Sequence, residues 1–312
     1  MTTQTVLRNL SLQSVHTLSN VEKEAKKQGI KIYLIISFAL AWLFFGLIWI
    51  MDVSPWDNIL VFQGLLIVPG FSPALAAIFV RKWITKEGLA NSGLKLHLRQ
   101  KWRYYLIAWL LPLVVLPIII TLAILIGTTP DFTLQNYFTT SYPDLTLPPE
   151  ILPTLFPIMT LNLIIMTVPF SLVLWGEEYG WRGYLQKYIV EDQPVKAAII
   201  TGIIWGFWHF PIILLGYQYP KEPILGLGVF TLAMIVLSII FGWLQEKTQS
   251  IWASSLAHSA TNNLGAIVFL LFMGTGNFLF VGYLGLFGII PLGILSLWIV
   301  KTGQLNTRRN KN

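Results

Sequence analysis

Residues 151–187 read ILPTLFPIMTLNLIIMTVPFSLVLWGEEYGWRGYLQK. From Ile151 to Trp175 no side chain is charged, and the run exceeds the ~20 residues that cross about 30 Å of hydrocarbon at 1.5 Å per residue. Such a run is read as a membrane-spanning helix. Glu177 and Glu178 follow it directly, and Tyr184, Leu185, Tyr188, Ile189 and Val190 come before the next acids, Glu191 and Asp192. If the helix continues to about Lys187, its polar end moves outward and Glu177 lies roughly 15 Å inside that end. Both carboxylates are then within the membrane.

The rest of the chain agrees with a membrane location. Of 312 residues, 55% are hydrophobic, 14% aromatic and 11% charged, against about 25% charged in soluble domains. This composition excludes a soluble enzyme, a nucleic-acid module and a secreted disulfide scaffold. A net charge of +7 fits lysine and arginine held in cytoplasmic loops and implies no nucleic-acid partner. The absence of cysteine removes disulfides, thiolate metal sites and cysteine nucleophiles.

Eight apolar runs are candidate spans: Ile30 to Met51, Ile59 to Val80, Tyr104 to Ile126, Ile151 to Trp175, Val195 to Leu215, Ile224 to Trp243, Ile251 to Phe272 and Phe278 to Val300. The first is too long and too far from the start for a signal-peptide core, and is read as a retained helix. Arg81, Lys82, Lys86, Lys95, Arg99, Lys101 and Arg103 fall between the second and third runs, whereas Gly127 to Glu150 carries acids and no base. Asp52 and Asp57 mark the same side as that acidic loop, and Arg8, Lys23, Lys26, Lys27, Arg308, Arg309 and Lys311 mark the other. By the positive-inside rule both termini are cytoplasmic.

The expected fold is all-α, a polytopic helix bundle with about eight transmembrane helices in the cell membrane. The segments are a cytoplasmic stretch 1–29, one transmembrane domain 30–301 with a catalytic core at about 151–272, and a cytoplasmic tail 302–312. Trp56, Trp102, Trp243 and Trp298 fit an interfacial belt. Pro69, Pro73, Pro112 and Pro117 mark kinks. Ser92 to Arg103 mixes leucines with bases and reads either as an amphipathic segment on the leaflet or as a solvated loop.

Twelve of the fourteen acids belong to loops or tails, which leaves Glu177 and Glu178 attached directly to the end of an apolar run; His209 and His258 lie within runs. An ionisable group in hydrocarbon costs roughly 2.5–3.5 kcal/mol and is a functional-site hypothesis by default. Helix geometry divides the roles. Glu178 and Arg182 are four apart and share a face, so Arg182 neutralises Glu178 and leaves Glu177 to face another helix. His258 and Asn262 have the same spacing, and Gly176, Gly180 and Gly183 allow close helix approach.

Amide hydrolysis needs an activated water, donors for the oxyanion and a proton for the leaving amine. Glu177 is suited to act as general base, aided by His209, with His258 and Asn262 donating to the oxyanion. No serine or cysteine nucleophile is required.

Glu177-Glu178-x-x-x-Arg182, Trp205-x-x-x-His209 and His258-x-x-x-Asn262 together resemble the CPBP family, the CAAX proteases and bacteriocin-processing enzymes. These are multi-pass intramembrane endopeptidases and include the type II CAAX prenyl endopeptidase. The resemblance implies that Glu177 is the general base, Glu178 its neighbour, Arg182 the family's arginine, His209 and His258 its histidines and Asn262 its asparagine. Trp205 stands where phenylalanine is usual; an aromatic is kept, and the chemistry is expected to be unchanged.

Glu177, His209 and His258 could also furnish a three-ligand zinc site with an open position, since family members are often described as metalloproteases. The chain has no His-Glu-x-x-His helix, and the preferred reading requires no cofactor, with Zn2+ the open alternative. The implied partners are the lipid bilayer and a membrane-associated or lipidated protein or peptide. Two rival readings stay open: a bacteriocin or peptide immunity or binding protein on the same scaffold, and a proton-coupled transporter, which would be expected to show repeated halves.

Overall fold

A computed structural model describes residues 3–53, 59–90 and 92–305, with side chains described from Glu22 onward in the first helix. Trp56, Asp57, Arg308, Arg309, Lys311 and the side chain of Arg8 lie outside the described residues. Regular structure among the described residues is helical throughout. With no water in hydrocarbon to satisfy the backbone, a chain this apolar must close its hydrogen bonds within each segment.

Helix α1 runs Thr3–Ile50. The second run breaks into α2 (Ile59–Gly70) and α3 (Ser72–Phe79), with Pro73 in the first turn of α3, and continues through a π-helical turn, Val80–Ile84. Helix α4 (Leu98–Leu125) contains Pro112 and Pro117, and α5 (Gln135–Ser141) lies in the loop that follows. Helix α6 (Leu152–Gly180) passes through a second π-helical turn, Trp181–Leu185, into α7 (Gln186–Tyr188). The fourth run therefore does extend past its acids, as one helical stretch of 37 residues from Leu152 to Tyr188.

Helices α8 (Pro194–Trp208) and α9 (Phe210–Leu214) make up the fifth run. Then come α10 (Pro223–Thr248), α11 (Ile251–Gly265), α12 (Ile267–Phe272), α13 (Phe278–Val281) and α14 (Leu286–Lys301). Seven helical stretches among the described residues are long and apolar enough to cross a membrane. The fifth run differs from the eight-span expectation: α8 has 15 residues, about 22 Å at 1.5 Å per residue. Pro211 explains the break, because its ring lacks an N–H and crowds the carbonyl four residues back. His209 sits at that break with φ −82° and ψ −7°.

Helix α11 packs on α6 and α4, α8 lies along α10, and α3 crosses α6 and α1. The α3–α6 crossing depends on Gly180, where an added Cβ would stand 2.3 Å from Pro73 Cβ and 2.5 Å from its carbonyl carbon. Gly176 meets Gly70 and Phe71 almost as closely, whereas Gly183 makes only ordinary contacts.

The stretch before α4 is not an independent amphipathic helix. Its carbonyls are used elsewhere: Gly93 O accepts from Ile251 N at 2.9 Å and Leu94 O from Trp252 Nε1 at 2.9 Å. Tyr105 donates to Leu96 O, and His97 Nδ1 to Thr248 O at 3.0 Å. The segment is a strap tied to the start of α11. Trp243 also departs from the interfacial reading, because it is buried edge-on to Tyr104 and Trp298.

Candidate active site

Glu177 and Glu178 occupy the last turn of α6, and successive residues of a helix point about 100° apart. Glu178 is fully buried, and its Oε1 accepts from Arg182 Nη1 at 2.8 Å and from His258 Nδ1 at 2.9 Å. The π-helical turn carries Arg182, whose Nη2 donates to Ser238 Oγ at 3.1 Å. Its guanidinium lies 4.1 Å from the Trp205 ring centre and 5.1 Å from that of Phe241, an aromatic setting that favours a cation. Removing one partner of such a buried pair leaves an uncompensated charge, at a cost of roughly 3–5 kcal/mol.

Glu177 points the other way. It is 8% exposed, against 0% for Glu178, and that exposure is to a pocket it lines. Its Oε2 accepts from Trp205 Nε1 at 2.8 Å. One turn on, His209 Nδ1 lies 2.9 Å from Trp205 O. A carbonyl only accepts, so Nδ1 carries the hydrogen, and the neutral ring keeps an acceptor lone pair at Nε2. His209 packs against Trp208 and Phe230, with ring centres 4.6 and 4.8 Å away, and His258 stands edge-on to Trp205 at 5.2 Å.

The pocket has a cavity volume of about 90 Å³, room for a few water molecules at roughly 10–15 Å³ each. Four of the residues singled out by sequence line it: Glu177, His209, His258 and Asn262, joined by Trp205. Glu178 and Arg182 stand behind the wall and hold His258 from the rear. All six are thus brought together, in two layers. Among the described residues no three His, Asp or Glu side chains form a cluster able to hold a metal ion. Glu177, His209 and His258 share the pocket without forming a ligand set.

Several supports have no local sequence signal. The motif marks Trp205 as an aromatic, and the structure adds its N–H on Glu177. Arg81, which by sequence falls among the loop bases, is fully buried, donates to Gly183 O at 2.7 Å and pairs with Glu87 at 3.3 Å. It thereby ties one π-helical turn to the other and sits among the rings of Tyr179, Tyr184 and Tyr188. Ser238, one of two hydroxyls in the apolar run Ile224 to Trp243, is the readable signal for the partner of Arg182.

A carboxylate, two imidazoles and a carboxamide around one pocket, in a bundle whose helices are long and apolar enough to cross a membrane, define the class of site. Residues 157–264, which take in all three motifs, match the family model described as Type II CAAX prenyl endopeptidase Rce1-like. Over 79 residues the chain is 35% identical to CAAX prenyl protease 2 of Methanococcus maripaludis, which is 23% of this chain and 29% of that protein. The chain therefore matches less than a third of that relative's length. These matches support placing the chain in the CAAX protease and bacteriocin-processing family that its motifs resemble.

Proposed function

We propose that this chain is an intramembrane endopeptidase that cleaves a peptide bond of a membrane-associated or lipidated protein or peptide by glutamate-activated water. The observation that carries the reading is Glu177. Among the described residues it is the one carboxylate lining the pocket, and it shares that lining with His209, His258 and Asn262. With Oε2 held by Trp205, Oε1 is the oxygen left to take a proton from water, and the Nε2 lone pair of His209 orients that water.

Attack on the scissile carbonyl puts negative charge on its oxygen. The Asn262 amide and His258 Nε2 are the donors suited to receive it. His258 donates from Nε2 only with both ring nitrogens protonated, since Nδ1–H is committed to Glu178, which it shares with Arg182. Collapse of the intermediate breaks the C–N bond, and the proton held by Glu177 passes to the leaving amine.

The names of the matched family and relative make a prenylated C-terminal peptide the first substrate to test. Glu177→Ala and, separately, His209→Ala abolish cleavage of a membrane-associated peptide while the protein stays monodisperse in detergent. Full activity in both variants contradicts the mechanism.

A further inference from the structure

The wall of the pocket facing the motif helices comes from α2 and from the loop between α9 and α10. Gln63, Leu66, Ile67 and Gly70 of α2 line it at helical spacing, and Tyr217 and Gln218 of the loop complete it. Gln63 is the one polar side chain in α2, which reads ILVFQGLLIVPG. A lone carboxamide in an apolar membrane helix is costly without a partner, and Gln63 shares the pocket lining with the polar side chains of Tyr217 and Gln218. The same tyrosine and Glu177 line one pocket.

The loop is fixed from behind. Tyr219 is buried, donates to Leu284 O at 2.6 Å, and presses on Gly226, where an added Cβ would lie 2.5 Å from its ring. Tyr217 N bonds Ile212 O at 3.2 Å, and its carbonyl accepts from Tyr219 N at 2.9 Å. Gly216 and Gln218 both have positive φ, +89° and +67°. A left-handed glutamine is uncommon, and such conformations persist where the surroundings over-determine them, often at ligand clamps.

The chemistry of this wall selects a ligand class. Two carboxamides and a phenol are neutral and together offer both donors and acceptors. Among the described residues no lysine or arginine lines the pocket. Alternating N–H and C=O groups of an extended, uncharged peptide main chain are the complement. We propose that Gln63, Tyr217 and Gln218 form a subsite that holds the substrate's main chain across from Glu177. This rests on the endopeptidase reading.

The test uses binding as well as turnover. A fluorescent membrane peptide is titrated into the full-length Glu177→Gln protein in detergent, alone and combined with Gln63→Leu, Tyr217→Phe or Gln218→Leu. Tyr217→Phe keeps the ring against Phe62 and so guards against misfolding. One net hydrogen bond of about 0.5–1.5 kcal/mol corresponds to a roughly two- to tenfold change, so each added substitution weakens Kd by that factor. In the active background the same substitutions raise KM and leave kcat within about twofold. Replacing one peptide amide by an ester near the scissile bond weakens binding to the unsubstituted subsite and has no further effect once the matching side chain is removed. Unchanged Kd in all three variants, or an ester penalty equal in all of them, overturns the subsite. Peptide binding that responds as expected, with no cleavage by the wild type, contradicts the endopeptidase reading and leaves the subsite standing.

Discussion

The indole Nε1 of Trp205 donates a 2.8 Å hydrogen bond to Oε2 of Glu177. The same residue offers its carbonyl to His209 and its ring face to Arg182. One side chain thus fixes which oxygen of the glutamate faces the pocket, and its carbonyl sets which nitrogen of the histidine does. A phenylalanine could supply the ring and the carbonyl but not the N–H.

Trp205→Phe therefore separates the two contributions. Hydrogen bonds to charged groups contribute about 1.5–3 kcal/mol, so kcat/KM falls by roughly ten- to a hundredfold, mostly in kcat, while the thermal midpoint moves little. Steady-state kinetics on a quenched membrane peptide measure it, and wild-type kcat contradicts the assignment.

The Glu178–Arg182 pair predicts a non-additive pattern. Arg182→Met leaves Glu178 buried with its charge uncompensated by the guanidinium, and lowers stability by roughly 3–5 kcal/mol. Glu178→Gln combined with Arg182→Met removes both charges and is more stable than Arg182→Met alone. Unfolding curves in detergent for the two single variants and the double variant decide it; additive losses contradict the pairing.

The α3–α6 crossing predicts a sharp contrast between glycines. Gly180→Ala forces a methyl into Pro73, and overpacking of this kind costs typically about 1–3 kcal/mol. Gly46 in α1 has nothing within 4 Å of an added Cβ, so Gly46→Ala stays within about 0.5 kcal/mol of wild type. Thermal unfolding of the two variants side by side measures the difference, and equal stability contradicts the close packing.

Metal dependence is decided by chelation. The account predicts that purified protein treated with a strong zinc chelator and desalted keeps its peptidase activity, and that elemental analysis finds no stoichiometric metal. Stoichiometric zinc lost together with activity, and both restored on adding it back, favours the three-ligand alternative.

Much of this arrangement was legible in the sequence because the signals were ones of scarcity. In a chain with few charges, Glu177, Glu178, His209 and His258 stood out against apolar surroundings, and spacing alone paired Glu178 with Arg182. The unread parts depend on contacts between segments far apart in the chain. Nothing local distinguishes Arg81, buried on Gly183 O, from exposed Lys82 beside it. The break at His209 was foreshadowed by Pro211 but masked by an apolar run that continues through it. The π-helical turn at Trp181–Leu185 has no sequence mark, yet it carries Arg182. Gln63 lies far along the chain from Glu177 and Tyr217 lies outside the motif helices, and only the folded bundle brings them to the same pocket as Glu177.

The central claim is that the carboxylate of Glu177 activates the water that cleaves the peptide. Glu177→Gln keeps an oxygen able to accept from Trp205 while removing the base. Cleavage of a quenched membrane-associated peptide by reconstituted protein, compared between wild type and Glu177→Gln at matched folding, is the most direct measurement. A loss of kcat by about 10²-fold or more, with peptide binding retained, is the predicted result. Turnover by Glu177→Gln within a few-fold of wild type would contradict the claim.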